Sequence, residues 1–175
     1  MAATRVTSST MFDRIKALLL DQGETEEGSA AADEQHLAEA ALMFHVIVAD
    51  GNVRDVEIER MRSVLSERYD LDDEAFSQLL DAARQAESEA VDLYRFTSLL
   101  NKRLDRDQRI AMIERLWEMV FADGELHEFE DNVVWRVAQL LHVESPDRIA
   151  MKQRVRQRMA PGSEGQGEEG QDGES

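Results

Sequence analysis

The sequence predicts an all-α fold, a compact domain of about seven helices built on two pseudo-symmetric helical hairpins. Three observations carry this. Apolar residues recur at helical spacing almost without a gap between Glu34 and Met159, and no period-two run bounded by turn signals interrupts them. Two Pro and nine Gly stand against many Ala, Leu, Glu and Arg, a composition that favours helices. One segment of the chain also occurs twice.

The elements follow in order. Thr10–Leu20 (TMFDRIKALLL) reads as a short amphipathic helix, with Thr10 as cap and Met11, Ile15, Leu18 and Leu19 on one face. It is the natural place for docking on the domain or for peripheral membrane contact. Leu37, Ala41, Phe44 and Val48 share a face, giving a helix over about 34–49 that Gly51 can end in the left-handed conformation. The next spans about 54–68, with Ile58, Met61, Val64 and Leu65 inward. Asp72 and Asp73 open a third, carrying Phe76, Leu79, Leu80 and Ala83. Asp92 opens a fourth, with Leu93, Phe96, Leu99 and Leu100. Asp105 with Gln108 forms a capping-box pair before a helix that runs to Ala122, its core face being Ile110, Ile113, Trp117, Val120 and Phe121. After Gly124 a helix over about 127–141 is expected to turn Phe129, Val133, Val137 and Leu140 inward. Ser145-Pro146 places a cap and a proline at the start of the last one.

Charge divides the chain further. Of a formal net charge of −17, five acids lie in Pro161–Ser175 and six in Asp21–Glu34, with no basic residue in either stretch. The organisation expected is an amphipathic helix over 1–20, an acidic flexible linker over 21–33, a helical domain over 34–159 and a disordered acidic tail over 160–175. A domain of that length can bury one core. An acidic surface repels phosphates, which argues against nucleic-acid binding. The basic last helix (Arg148, Lys152, Arg154, Arg156, Arg158) is the one exception, and the acidic tail could fold back onto it. No stretch has the roughly 20 apolar residues of a membrane span, and no convincing signal peptide is present, so the expected address is cytoplasmic.

The repeat pairs FHVIVADGNVRDVEIERMRSVL from Phe44 with WEMVFADGELHEFEDNVVWRVA from Trp117. Ala49-Asp50-Gly51 falls on Ala122-Asp123-Gly124, Val53 on Leu126, Val56 on Phe129, Glu57 on Glu130 and Val64 on Val137. Each copy is a helical hairpin with a tight Asp-Gly turn. One exposed apolar face cannot be stable alone, so the copies should pack together. Two ADG-x-apolar-x-x-x-E hairpins, with Asp92-Leu93-Tyr94-Arg95-Phe96-Thr97 between them, resemble the TerB-like family, named for tellurite resistance protein B, and one of its uncharacterised branches. The resemblance covers about 34–145. It implies a compact all-α module linked to tellurite and stress responses, with acidic residues proposed to bind metal; the chain itself shows none of the catalytic signatures an enzyme would need, so a non-enzymatic module is expected.

Two readings of those acids stand side by side. In the local one, Asp50 and Asp123 turn the chain before Gly, Asn52 caps the next helix, and Glu57 and Glu130 favour the helix dipole. In the other, Asp50, Glu57, Asp123 and Glu130 are metal ligands, and an all-oxygen set suits Ca²⁺, Mg²⁺ or Mn²⁺. His127, which stands where the first copy has Arg54, would then join the shell in one repeat only; otherwise it is an exposed histidine. The spacing is not that of an EF-hand: counting from Asp50, the sixth and twelfth positions are Asp55 and Met61. There is no Cys, no phosphate-binding glycine loop and no nucleophile elbow. The rival to the metal reading is an adaptor for an unknown protein partner, similar to a co-chaperone's helical module, in which the acids are structural.

Overall fold

The computed structural model describes residues 27–124, 126 and 128–160. They form α1 (Glu27–Ile47), a 3₁₀ turn (Val48–Asp50), α2 (Asp55–Tyr69), α3 (Asp73–Glu89), α4 (Tyr94–Arg103), α5 (Arg106–Val120), α6 (Glu128–Leu140) and α7 (Ser145–Met159), with no strand among them. The all-α expectation is thus met with seven helices. The segment 10–20, His127 and the tail from 161 lie outside the described residues.

Helix α1 is the hub because it is apolar on nearly every side. Leu37, Ala38, Ala40, Ala41, Leu42, Met43, Val46 and Ile47 are all buried. A helix that is apolar all round has to be surrounded, and α1 touches α2, α3, α4, α5 and α6. Each fully buried Leu or Met contributes roughly 1.5–3 kcal/mol. Helix α3 lays Phe76, Leu79, Leu80 and Ala83 along it, and α4 adds Phe96 and Leu100. Helix α7 packs Met151 and Val155 against α5.

The two hairpins, α1–α2 and α5–α6, interlock reciprocally. Helix α1 meets α6 and α5 meets α2, while α1 and α5 also touch directly. This is the packing expected of two copies about a pseudo-two-fold axis.

Several starts follow local chemistry. The Asp72 carboxylate accepts the Ala75 N–H at 2.8 Å. Asp105 and Gln108 complete their reciprocal box at 2.8 and 2.9 Å. Asp92 accepts the Tyr94 N–H at 2.9 Å.

Three expectations need correction. Helix α1 begins at Glu27, so the stretch read as linker is helical from there. Ala30–Ala32 are strong helix formers, and acids suit the first turns of a helix. Phe129 is 66 % exposed rather than inward. The buried face of α6 is set by Glu130, Val134, Val137 and Ala138, and Phe129 lies one position, about 100°, off that stripe. Asn52 does not cap α2; Arg54 holds that position. Three basic residues of α7 also pair with acids of neighbouring helices. Lys152 meets Asp131 at 2.5 Å, while Arg158 and Arg154 meet Glu114 at 3.2 and 3.8 Å. Arg158 also contacts Glu118.

A buried polar group sits inside this frame. Glu39 of α1 is fully buried. Its Oε2 lies 3.3 Å from Arg68 Nε at the end of α2 and 3.5 Å from Arg115 Nη2 on α5. Gln35 donates to its Oε1 at 3.2 Å. Burial holds the Arg115 guanidinium below its usual value and pushes the Tyr69 phenol up. Glu39 therefore ties its own hairpin to the other one. Arg60 of α2, 3.0 Å from Glu118 of α5, repeats the tie at the surface.

Candidate cation centre at the paired turns

The two Asp-Gly turns have the same backbone. The Gly51 N–H donates to the Val48 carbonyl at 3.0 Å, and the Gly124 N–H to the Phe121 carbonyl at 3.1 Å. Both glycines sit at φ +80°, in the left-handed region that costs an ordinary residue about 1–2 kcal/mol. At the first turn the Asp50 carboxylate accepts the Asn52 N–H at 2.8 Å, as the local reading expects. That hydrogen bond, followed by the Arg54 guanidinium, holds the Asp50 carboxyl below its usual range.

Helix α2 then opens at Arg54. Glu57, one turn on, is buried and accepts the Arg54 backbone N–H at 3.0 Å. This is the return half of a capping box. The forward half is missing, because a guanidinium has no acceptor.

The Arg54 side chain instead turns to the carboxylates. Its Nη2 donates to Asp50 Oδ2 at 2.7 Å, and Nη1 lies 3.4 Å from Glu57 Oε1. From the other copy, Asp123 Oδ2 lies 3.6 Å from Nε and Glu130 Oε1 lies 3.9 Å from Nη1. All four sequence-predicted site residues are thus brought to one place, and a guanidinium stands at its centre. Glu57 and Glu130 are 2 % and 1 % exposed, so the inner wall of the group is dry. The hydrogen bond to Asp50 raises the Arg54 pKa still further. An arginine suits this position, because its planar fork of five donors can face several carboxylates at once.

Arg54 is the residue that sequence reasoning passed over. The available signal was its type: a cation in a slot that ordinarily takes Ser, Thr, Asp or Asn, directly after an acidic turn. Around the group, the exposed large apolar side chains come in equivalent pairs. Val53 (49 %) and Leu126 (44 %) are one pair, and Val56 (43 %) and Phe129 (66 %) the other. Asp55 and Glu128, also exposed, stand beside them.

The fold and this end of it define an all-helical module made from a duplicated hairpin, joined where its two turns meet. The family model described as Tellurite resistance protein TerB matches residues 36–153, and the chain belongs to that family. No curated protein and no solved structure matches the chain.

The family resemblance implies a metal at these acids. Their donor chemistry, carboxylate oxygens only, suits a hard divalent ion. The geometry does not: the guanidinium occupies the point on which the oxygens converge. Among the described residues no set of three or more His, Asp or Glu side chains is arranged to hold a metal. No helix among them is long and apolar enough to cross a membrane.

Proposed function

We propose that this TerB-family module is a non-catalytic adaptor whose docking face is the double Asp-Gly end. The observation that carries the reading is the paired exposure of Val53, Val56, Leu126 and Phe129 at equivalent positions of the two hairpins. Large apolar side chains are left 43 to 66 % exposed at that place, and both copies have them. Acids flank them, so the occupant this face suits is a protein segment with an apolar stripe bordered by Lys or Arg. Catalysis is a poor fit. The Asp50 carboxyl, held below its usual range by the Asn52 N–H and the Arg54 guanidinium, lacks the raised pKa that acid–base work at neutral pH needs. Family membership supports a place in the response to tellurite, which growth of a strain lacking the protein, with and without tellurite, tests.

Site-specific photo-crosslinking in the native cell tests the docking face. A crosslinking residue at Phe129 or Val56 should yield the same discrete protein adduct, and one at exposed Ile149 on α7 should not. Val56→Asp with Phe129→Asp should remove the adduct captured from a third probe at Val53, with helical circular dichroism unchanged. Equal adducts from positions 129 and 149, or an adduct indifferent to the two Asp substitutions, contradicts the reading.

A further inference from the structure

We infer that Arg54 is the resident cation of this duplicated acidic site: its guanidinium supplies, from within the chain, the positive charge that would otherwise have to come from a divalent ion, and the site is metal-independent as long as Arg54 is present.

Four observations lead there. Carboxylates from both hairpins converge on a single guanidinium, at distances from 2.7 to 3.9 Å. Two of them, Glu57 and Glu130, are buried, and buried carboxylates gathered in one place need a positive partner to stay ionised together. Arg54 is also a locally unfavourable choice. It sits at the N-cap of α2 with no acceptor to offer, and it presents positive charge to the positive end of the helix dipole. The acids of both hairpins give that placement its compensation. Finally, one arginine reaches both copies. Its three nitrogens face Asp50, Glu57, Asp123 and Glu130 in turn.

A divalent ion coordinated by carboxylates needs oxygens at about 2.0–2.6 Å. It would have to sit where the guanidinium sits and would be repelled by it at close range in a partly dry environment. Metal and Arg54 are therefore alternatives. Losing the arginine should open the site rather than merely weaken it.

The inference is independent of whether a partner docks nearby. Its test uses the full chain, thermal unfolding and titration calorimetry with Mn²⁺, Ca²⁺ and Mg²⁺ in turn. Wild type should show no saturable stabilisation. Arg54→Ser, which restores an N-cap acceptor while removing the charge, should unfold at lower temperature without metal. It should regain stability as Mn²⁺ or Ca²⁺ is added, with affinity at least about tenfold above wild type. Glu57→Gln with Glu130→Gln in the Arg54→Ser background should abolish that response, and Arg54→Lys should remain metal-insensitive. If Arg54→Ser does not fold without metal, recovery of helicity on adding Mn²⁺ supports the inference and failure to recover overturns it. Saturable metal binding by wild type that is lost with Glu57→Gln and Glu130→Gln overturns it, as does an Arg54→Ser variant that folds and ignores all three ions.

Discussion

Glu39→Ala is the most damaging single change expected away from the turns. The carboxylate is fully buried and faces two arginines of unequal exposure. Arg68 is 27 % exposed at its side chain and can turn to water, so losing Glu39 affects it little. Arg115 is 14 % exposed and has nowhere comparable to go. The substitution strands that charge, and breaking a buried pair from one side costs about 3–5 kcal/mol. Whole-domain stabilities lie near 5–15 kcal/mol, so the variant should be only marginally folded, with its midpoint lowered by roughly 10 °C or more. Thermal and urea unfolding followed by circular dichroism measure this. Replacing both partners, Glu39→Met with Arg115→Met, removes the stranded charge and fills the space, and should return stability to within about 1 kcal/mol of wild type. A Glu39→Ala variant that loses less than about 1 kcal/mol, or a Met pair worse than the single change, would mean that Arg115 is not stranded by the loss of Glu39.

Two further outcomes follow. Gly51→Ala and Gly124→Ala should each cost about 1–2 kcal/mol, and nearly equally. Both glycines sit at φ +80° with no atom within 4 Å of an added Cβ, so backbone strain is the whole effect, and urea midpoints read it. The second concerns pH. His36 lies against the Tyr69 ring, 3.6 Å between centroids, and burial holds its pKa below 6.5. Because the folded pKa is depressed, the contribution is complete above about pH 6.5. It is lost as pH falls from there through the folded value, where the folded imidazole finally takes the proton the unfolded chain accepts earlier. His36→Gln should flatten the stability–pH slope in that window, measured by urea unfolding from pH 7.5 downward.

Much of the fold was legible because local chemistry and packing agree along most of the chain. The apolar stripes of α3 and α5, the Asp72 cap and the Asp105–Gln108 box each specify one answer at short range. The duplicated Asp-Gly turn was legible for the same reason: only Gly accepts that backbone conformation cheaply, so both turns announce themselves. Phe129 was misplaced because an exposed aromatic beside a buried glutamate inverts the usual pattern, and periodicity cannot see that inversion. The early start of α1 was hidden by its charge, since acids read equally as solvated linker or as first turns of a helix. At the site, the four acids could be picked out by their recurrence in two copies. Their convergence could not, because it depends on how α1–α2 and α5–α6 cross. Arg54 and the Glu39 group are tertiary choices, made by partners 69 and 76 residues away at Asp123 and Arg115.

The two turns meet at one positive charge. A double-mutant cycle joining Arg54→Met and Asp123→Asn, followed by urea unfolding, measures that meeting across the two hairpins. A favourable coupling is expected: Asp123→Asn should matter when Arg54 is present and matter much less, or stabilise, once it is gone. Strictly additive effects would contradict it.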